Sequence, residues 1–144
     1  MEVVAVLERV LRRNPDHPGA NHYYIHAVEA SKTPERALAS ALRVGGLMPG
    51  AGHMVHMPSH IFLRLGDHEQ SAAVNETASE VDRKFIERTG AKGVYPLMYY
   101  SHNLHFVSYA RMSMGQFDES LDYARRLARN VDGSISGMPM LAPY

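Results

Sequence analysis

Apolar residues recur along this chain at helical spacing. Val3, Val6, Leu7, Val10 and Leu11 fall on one face of residues 2–13, with Glu8, Arg12 and Arg13 elsewhere, which predicts an amphipathic helix. Asn14-Pro15-Asp16-His17-Pro18-Gly19 ends it, because proline donates no ladder hydrogen bond and restricts the residue before it. A second helix is expected from about Ala20 to Ala30. Thr33 then offers an N-cap and Pro34 a first helical position for a third helix, which should bury Ala37, Leu38, Ala41 and Leu42 and stop at Gly45-Gly46. Met48-Pro49-Gly50-Ala51-Gly52 reads as a loop, followed by a fourth helix ending near Gly66. A fifth begins around Asp67 and carries Val74, Ala78, Val81 and Phe85; Gly90-Ala91-Lys92-Gly93 breaks it. A sixth runs from after Pro96 to about Met114, and a seventh has Phe117, Leu121, Ala124, Leu127 and Val131 in register. Residues 132–144 have glycine, serine, two prolines and no period, and read as a loose tail. No segment alternates as a strand does, so the expected class is all-α.

The pattern repeats. Pro15 and Pro49, His22 and His56, and His26 and His60 are each 34 residues apart. An offset of 49 carries His53 onto His102, His56 onto His105, Gly66 onto Gly115 and Ser71 onto Ser120. A period of 34 with one insertion of 15 is the mark of an array of helical hairpins.

On these residues the chain resembles the tetratricopeptide-repeat family. Gly115-Gln116-Phe117-Asp118-Glu119-Ser120 is similar to that family's turn into its second helix, and Asn14-Pro15 and Met48-Pro49 sit where its repeat-closing proline falls. Asn14 to Ala30 and Gly50 to Gly66 are also similar to a histidine-rich bacterial subgroup of such proteins. The likeness spans roughly residues 2–131. It departs from the family in lacking the usual tryptophan, in placing Pro58 at a helical position and in lengthening one hairpin. The resemblance implies a right-handed α-solenoid over residues 1–131: a partial repeat at 1–18 and repeats at about 19–50, 51–97 and 98–131. It implies that the chain starts midway through a repeat, hence that it is a fragment or self-associates through unpaired terminal helices. The family's concave stripe falls on Gly19, His22, His26 and Glu29, then on His53, His56 and His60, then on His102, His105 and Tyr109.

Composition narrows the chemistry. Lysine plus arginine equal aspartate plus glutamate, 15 against 15, so the chain carries no electrostatic footprint for nucleic acid or an anionic membrane. No apolar run is long enough to span a bilayer, and Met1-Glu2-Val3-Val4 does not begin a signal peptide, which makes the cytoplasm the default expectation. The absence of cysteine removes disulfides, thiolate ligands and a cysteine nucleophile. A transition-metal site would have to be built from imidazole and carboxylate.

Seven of the nine histidines lie in three short segments, at His22 and His26, at His53, His56 and His60, and at His102 and His105. Independently of family, His22, His26 and Glu29 at i, i+4 and i+7 share one helix face. Three accounts compete. Histidines can simply fill half-buried helix contacts, although imidazole is a middling helix former and costly to bury charged. They can chelate a metal ion, zinc by default with copper, iron or nickel as alternatives, through His22, His26, Glu29, His56, His60 and His105, with His53, His56 and His60 as an all-nitrogen set. Or His22, His26, Glu29, His53, His56, His60, His102, His105 and Tyr109, flanked by Tyr23, Tyr24, Tyr99, Tyr100 and Phe106, can line a groove for a peptide or small polar ligand. Tyr24 and Phe106 fit interhelix core better than a groove. The favoured expectation is a non-catalytic binding scaffold, with a metal-binding protein or metal-dependent enzyme on the same histidines as the alternative.

Pro58 bears on each account. If a helix starts near Met57, Pro58 sits harmlessly in its first turn and His53 and His56 belong to the approach loop. No His-Glu-x-x-His, acylation motif or phosphate-cradling glycine loop is present. Arg64, Asp67 and Asp82 read as solvated helix charges, and His17 and His68 as exposed loop or cap residues.

Overall fold

A computed structural model describes residues 2–132 and 134, and among these there is no strand. The all-α expectation holds. Eight helices follow in order: α1 (Glu2–Arg13), α2 (Pro18–Glu29), α3 (Leu38–Leu47), α4 (Gly52–His56), α5 (Pro58–Leu65), α6 (His68–Thr89), α7 (Ser101–Ser113) and α8 (Phe117–Val131). A 3-10 turn over Pro34–Ala37 leads into α3, and a π-helical turn over Tyr95–Tyr100 leads into α7. Of the tail expected over 132–144, all but Asp132 and Ser134 lie outside the described residues.

Helices pack on their neighbours in the chain. α1 lies on α2, α2 on α3 and α5, α4 and α5 on α6, α6 on α7, and α7 on α8. Tyr24, Ile25, Val28, Ala37, Ala41, Val44, Met54, Met57 and Ile61 form one buried core, against which Val4, Leu7 and Leu11 of α1 are half-buried. Tyr24 is therefore core, as its position suggested, and its hydroxyl donates to Glu8 Oε1 at 2.7 Å to tie α1 down.

Chain punctuation follows the sequence at several ends. His17 caps α2 by accepting from the Ala20 N–H at 3.2 Å, and Asp67 caps α6 by accepting from the Gln70 N–H at 3.1 Å. Gly66 (φ 78°) closes α5 and Gly90 (φ 65°) closes α6 in the left-handed conformation that glycine adopts without a Cβ penalty.

Other expectations need correcting. Gly45-Gly46 does not stop α3, which continues to Leu47; a Cβ on Gly45 would make an ordinary contact, 3.6 Å from the Val55 Cα. Leu42, expected in the core, is exposed. Phe117 and Leu121 of α8 are exposed as well, their stripe having no helix beyond it among the described residues. The largest correction is α6. Its buried face is small and polar, made of Ser71, Ala72, Asn75, Ala78, Ser79 and Asp82, while Val74, Val81 and Phe85 are only half-buried. Asp82, expected in solvent, has no exposed surface.

Among the described residues no helix is long and apolar enough to cross a membrane.

Candidate metal centre

The histidine segment is two helices. Pro58 carries no N–H to continue the ladder, so α4 ends at His56 and α5 begins at Pro58, with Met57 between them in right-handed helical conformation. His53 and His56 thus lie on a helix of their own and not on an approach loop. The break preserves the helical course, so His53, His56 and His60 stay on one side of it. Their rings follow each other, His53 to His56 at 5.9 Å and His56 to His60 at 4.7 Å between centroids.

α2 and α7 bring the remaining rings to the same place. His22 lies 5.0 Å from His53, His26 lies 5.0 Å from His60, and His102 lies 4.7 Å from His56. Phe106 packs its ring on His56, His60 and His102, forming an apolar wall rather than part of a remote core. Tyr99, in the π-helical turn, stands 5.3 Å from His53. Six histidines and Glu29 are in one cluster.

The two other predicted site residues are elsewhere. His105 is exposed and belongs to none of the ligand groupings among the described residues. Tyr109 faces His68 at 6.5 Å. His68 itself is half-buried at the start of α6 rather than exposed, whereas His17 is exposed as expected.

Hydrogen bonds decide which ring nitrogens carry protons. Asn75 Nδ2 donates to the Ser71 carbonyl at 2.7 Å, which turns Oδ1 toward His56 Nδ1 at 2.6 Å. An amide oxygen only accepts, so His56 Nδ1 is the protonated nitrogen and Nε2 of the neutral ring bears a lone pair. His60 Nδ1 donates to Glu29 Oε2 at 2.6 Å, and His26 Nδ1 donates to Glu29 Oε1 at 2.8 Å. The free nitrogens of His56 and His60 then converge, His56 Nε2 facing His60 Nε2 at 2.9 Å. Two imidazole lone pairs at such a distance repel each other, so the His56–His60 pair is arranged to take a cation between its nitrogens. His22 Nε2 and His53 Nε2, 3.0 Å apart, share a hydrogen bond, one ring donating to the other.

The surroundings favour neutral rings. Burial pushes the His56 imidazolium well below its ordinary range, aided by repulsion from His60 and His102 and opposed by the Asn75 hydrogen bond. Burial, then the neighbouring His22 and His26, lowers His53 to about 4. His102 keeps an exposed edge, but the packing of its ring among its neighbours, then His60 and His105, lowers it to about 4; His22 is lowered by burial and by His26. For Glu29, burial works against ionisation, but the hydrogen bonds from His60 and His26 outweigh it and hold the carboxyl down at about 2. Neutral imidazole and ionised carboxylate are the forms that bind metal.

No family model, characterised protein or solved structure matches this chain. What the centre can do must therefore come from its own atoms.

Three groupings place one ligand atom per residue within 4.8 Å of the others: His22, His26 and His53; His56, His60 and His102; and His26, Glu29 and His60. Three such donors with an open position are the ordering found in catalytic zinc shells. Two concavities, of about 430 and 330 Å³, lie away from these groups, around Glu8, Tyr24 and Arg43 and around Leu42, Phe62 and Val74. They offer no second cluster of ligating side chains.

Buried residues that support the centre escaped the sequence reading. Asp82 accepts from Tyr95 Oη at 2.7 Å and from Asn103 Nδ2 at 2.8 Å, joining α6 to the π-helical turn and to α7 beside His102. Burial raises its pKa, the two hydrogen bonds pulling the other way. A Cβ on Gly52 would fall 1.9 Å from Asp82 Oδ1, so only glycine fits at the start of α4 with Asp82 in place. The available signal was the run Ser71, Asn75, Ser79 and Asp82, a polar stripe at helical spacing on α6.

Proposed function

We propose that this protein binds a transition-metal ion through its histidine cluster, zinc being the default and copper, iron or nickel the alternatives. The carrying observation is the His56–His60 pair: both Nδ1 atoms are committed to Asn75 and Glu29, and both Nε2 atoms face each other at 2.9 Å. Metal-bound histidines characteristically donate their other N–H to a carboxylate or carbonyl, and both rings do so here. Nitrogens bound to one tetrahedral zinc at about 2.0–2.1 Å stand about 3.3 Å apart, so the pair need open only by roughly 0.4 Å to take the ion. The framework that carries the cluster is, on this reading, a right-handed superhelix of tetratricopeptide-like hairpins. Its support is the 34-residue offset that carries His22 onto His56 and His26 onto His60, together with the packing of helices on chain neighbours.

A second reading, a scaffold for a peptide or small ligand, is favoured by Tyr23 and Tyr99. Both adjoin the histidines and keep much of their surface in solvent. Exposed Val3 and Val6 on α1 and Phe117 and Leu121 on α8 support self-association as a further property. Elemental analysis of protein purified without a histidine tag separates the first two readings. A metal centre gives stoichiometric metal that is lost in a His22→Ala/His60→Ala double variant. Protein that neither retains metal nor takes up added Zn(II) or Co(II) would leave the scaffold alone.

A further inference from the structure

We infer that the cluster holds two ions at once, in two three-histidine shells oriented by one shared carboxylate, Glu29. The inference rests on the metal-binding reading above. It starts from a count: six imidazoles in contact exceed the three or four protein ligands that one zinc-like ion takes. They divide without remainder. His22, His26 and His53 form one group, and His56, His60 and His102 form another with no member in common. The groups abut, with His26 5.0 Å from His60 and His53 5.9 Å from His56 between centroids.

Glu29 sits on the seam. Its Oε1 accepts from His26 Nδ1 at 2.8 Å, and its Oε2 accepts from His60 Nδ1 at 2.6 Å, one oxygen for one histidine of each group. A carboxylate so divided fixes the same tautomer in both rings, Nδ1 protonated and Nε2 free, and raises the basicity of each as a ligand. It also supplies negative charge between two dications that would otherwise repel. The competing arrangement is one ion held by His26, Glu29 and His60. That ion would take Glu29 as a ligand and leave the His22–His53 and His56–His102 contacts without a role.

Cobalt(II) titration of the tag-free, metal-stripped chain, followed by visible absorption and checked by elemental analysis, distinguishes these. Two equivalents are expected for the natural chain. His22→Ala and His102→Ala should each reduce the count to one, from different shells, with helix content verified by circular dichroism. His53→Gln probes the first shell independently should His22→Ala lose structure. Glu29→Gln should keep both equivalents while weakening each about 10–100-fold, the usual effect of losing an orienting partner. One equivalent that survives His22→Ala and His102→Ala but disappears in Glu29→Gln would overturn the two-ion arrangement and leave metal binding standing. No uptake by the natural chain would overturn metal binding itself, and this inference with it.

Discussion

Asn75 holds His56 by a 2.6 Å contact between Oδ1 and Nδ1, and both residues are fully buried. The asparagine is itself held by its bond to the Ser71 carbonyl, so the ring can neither flip nor exchange tautomers without breaking a buried hydrogen bond. Asn75→Leu keeps the volume and removes the acceptor, leaving only Ser59 Oγ at 3.3 Å from His56 Nδ1. The expected cost is about 1–3 kcal/mol of stability, the range for an unsatisfied buried polar group. Metal affinity should fall about 10–100-fold as the ring loses its orientation. Asn75→Asp retains an acceptor and should keep most of the affinity. Urea unfolding and Co(II) titration of both variants measure the two effects.

Stability of the metal-free protein should fall as pH drops from 7 to 4. His22, His53 and His56 have folded pKa values below the ordinary 6.5, that of His53 at about 4. Above 6.5 the rings are neutral in both states and the folded state has its full advantage. Between 6.5 and 4 the unfolded chain takes up protons that the folded chain refuses, so stability rises with pH there and is lost as pH falls. Each proton of difference contributes a slope of about 1.4 kcal/mol per pH unit. Glu29, held at about 2, adds a separate loss only as pH falls from 4.5 toward 2. Urea midpoints measured at half-unit intervals should therefore decline from near neutrality, well above the carboxylate range. A flat profile between pH 7 and 5 would contradict the burial of neutral rings.

How much of this could be read from the residues depended on range. The bounds of α1 and the α-helical class were legible because amphipathic spacing is a local signal, and so was the shared face of His22, His26 and Glu29. Rotation of one helix against another is not local. His102 and His105 are both exposed and both fit the α7 stripe, yet α7 sets only the His102 ring against His56 and within its ligand group. Burial of Asn75 and Asp82 was illegible for the same reason, since their partners His56, Tyr95 and Asn103 lie 13 to 21 residues away. Gly52 misleads in a different way. It serves close approach of the Asp82 side chain, which a single sequence does not distinguish from a loop glycine.

Gly52→Ala should destabilise the fold through Asp82. The added methyl would collide with a carboxylate that Tyr95 and Asn103 already hold in place, so the aspartate can move aside only by giving up those hydrogen bonds. Overpacking of this kind costs about 1–3 kcal/mol. Because the collision is with one side chain, the penalty should shrink when Asp82 is also replaced by alanine, and a double-mutant cycle in urea reads that coupling directly. Equal penalties in both backgrounds would place the strain elsewhere on α4.

His105 and His102 give the sharpest contrast between pattern and packing. They are three residues apart on α7, equally suited by spacing to join the stripe, and only His102 stands within the ligand groupings. His105→Ala should leave Co(II) or Zn(II) affinity unchanged to within about twofold, because its ring contributes to the centre only a screened repulsion on His102. His102→Ala removes a donor from the His56–His60 shell, and that shell should lose at least the roughly 10–100-fold that follows from disturbing a ligand's support alone. Competition with a chromophoric chelator measures both. If the two substitutions weaken binding equally, the centre draws on the whole α7 stripe rather than on the three nitrogens that meet around His56.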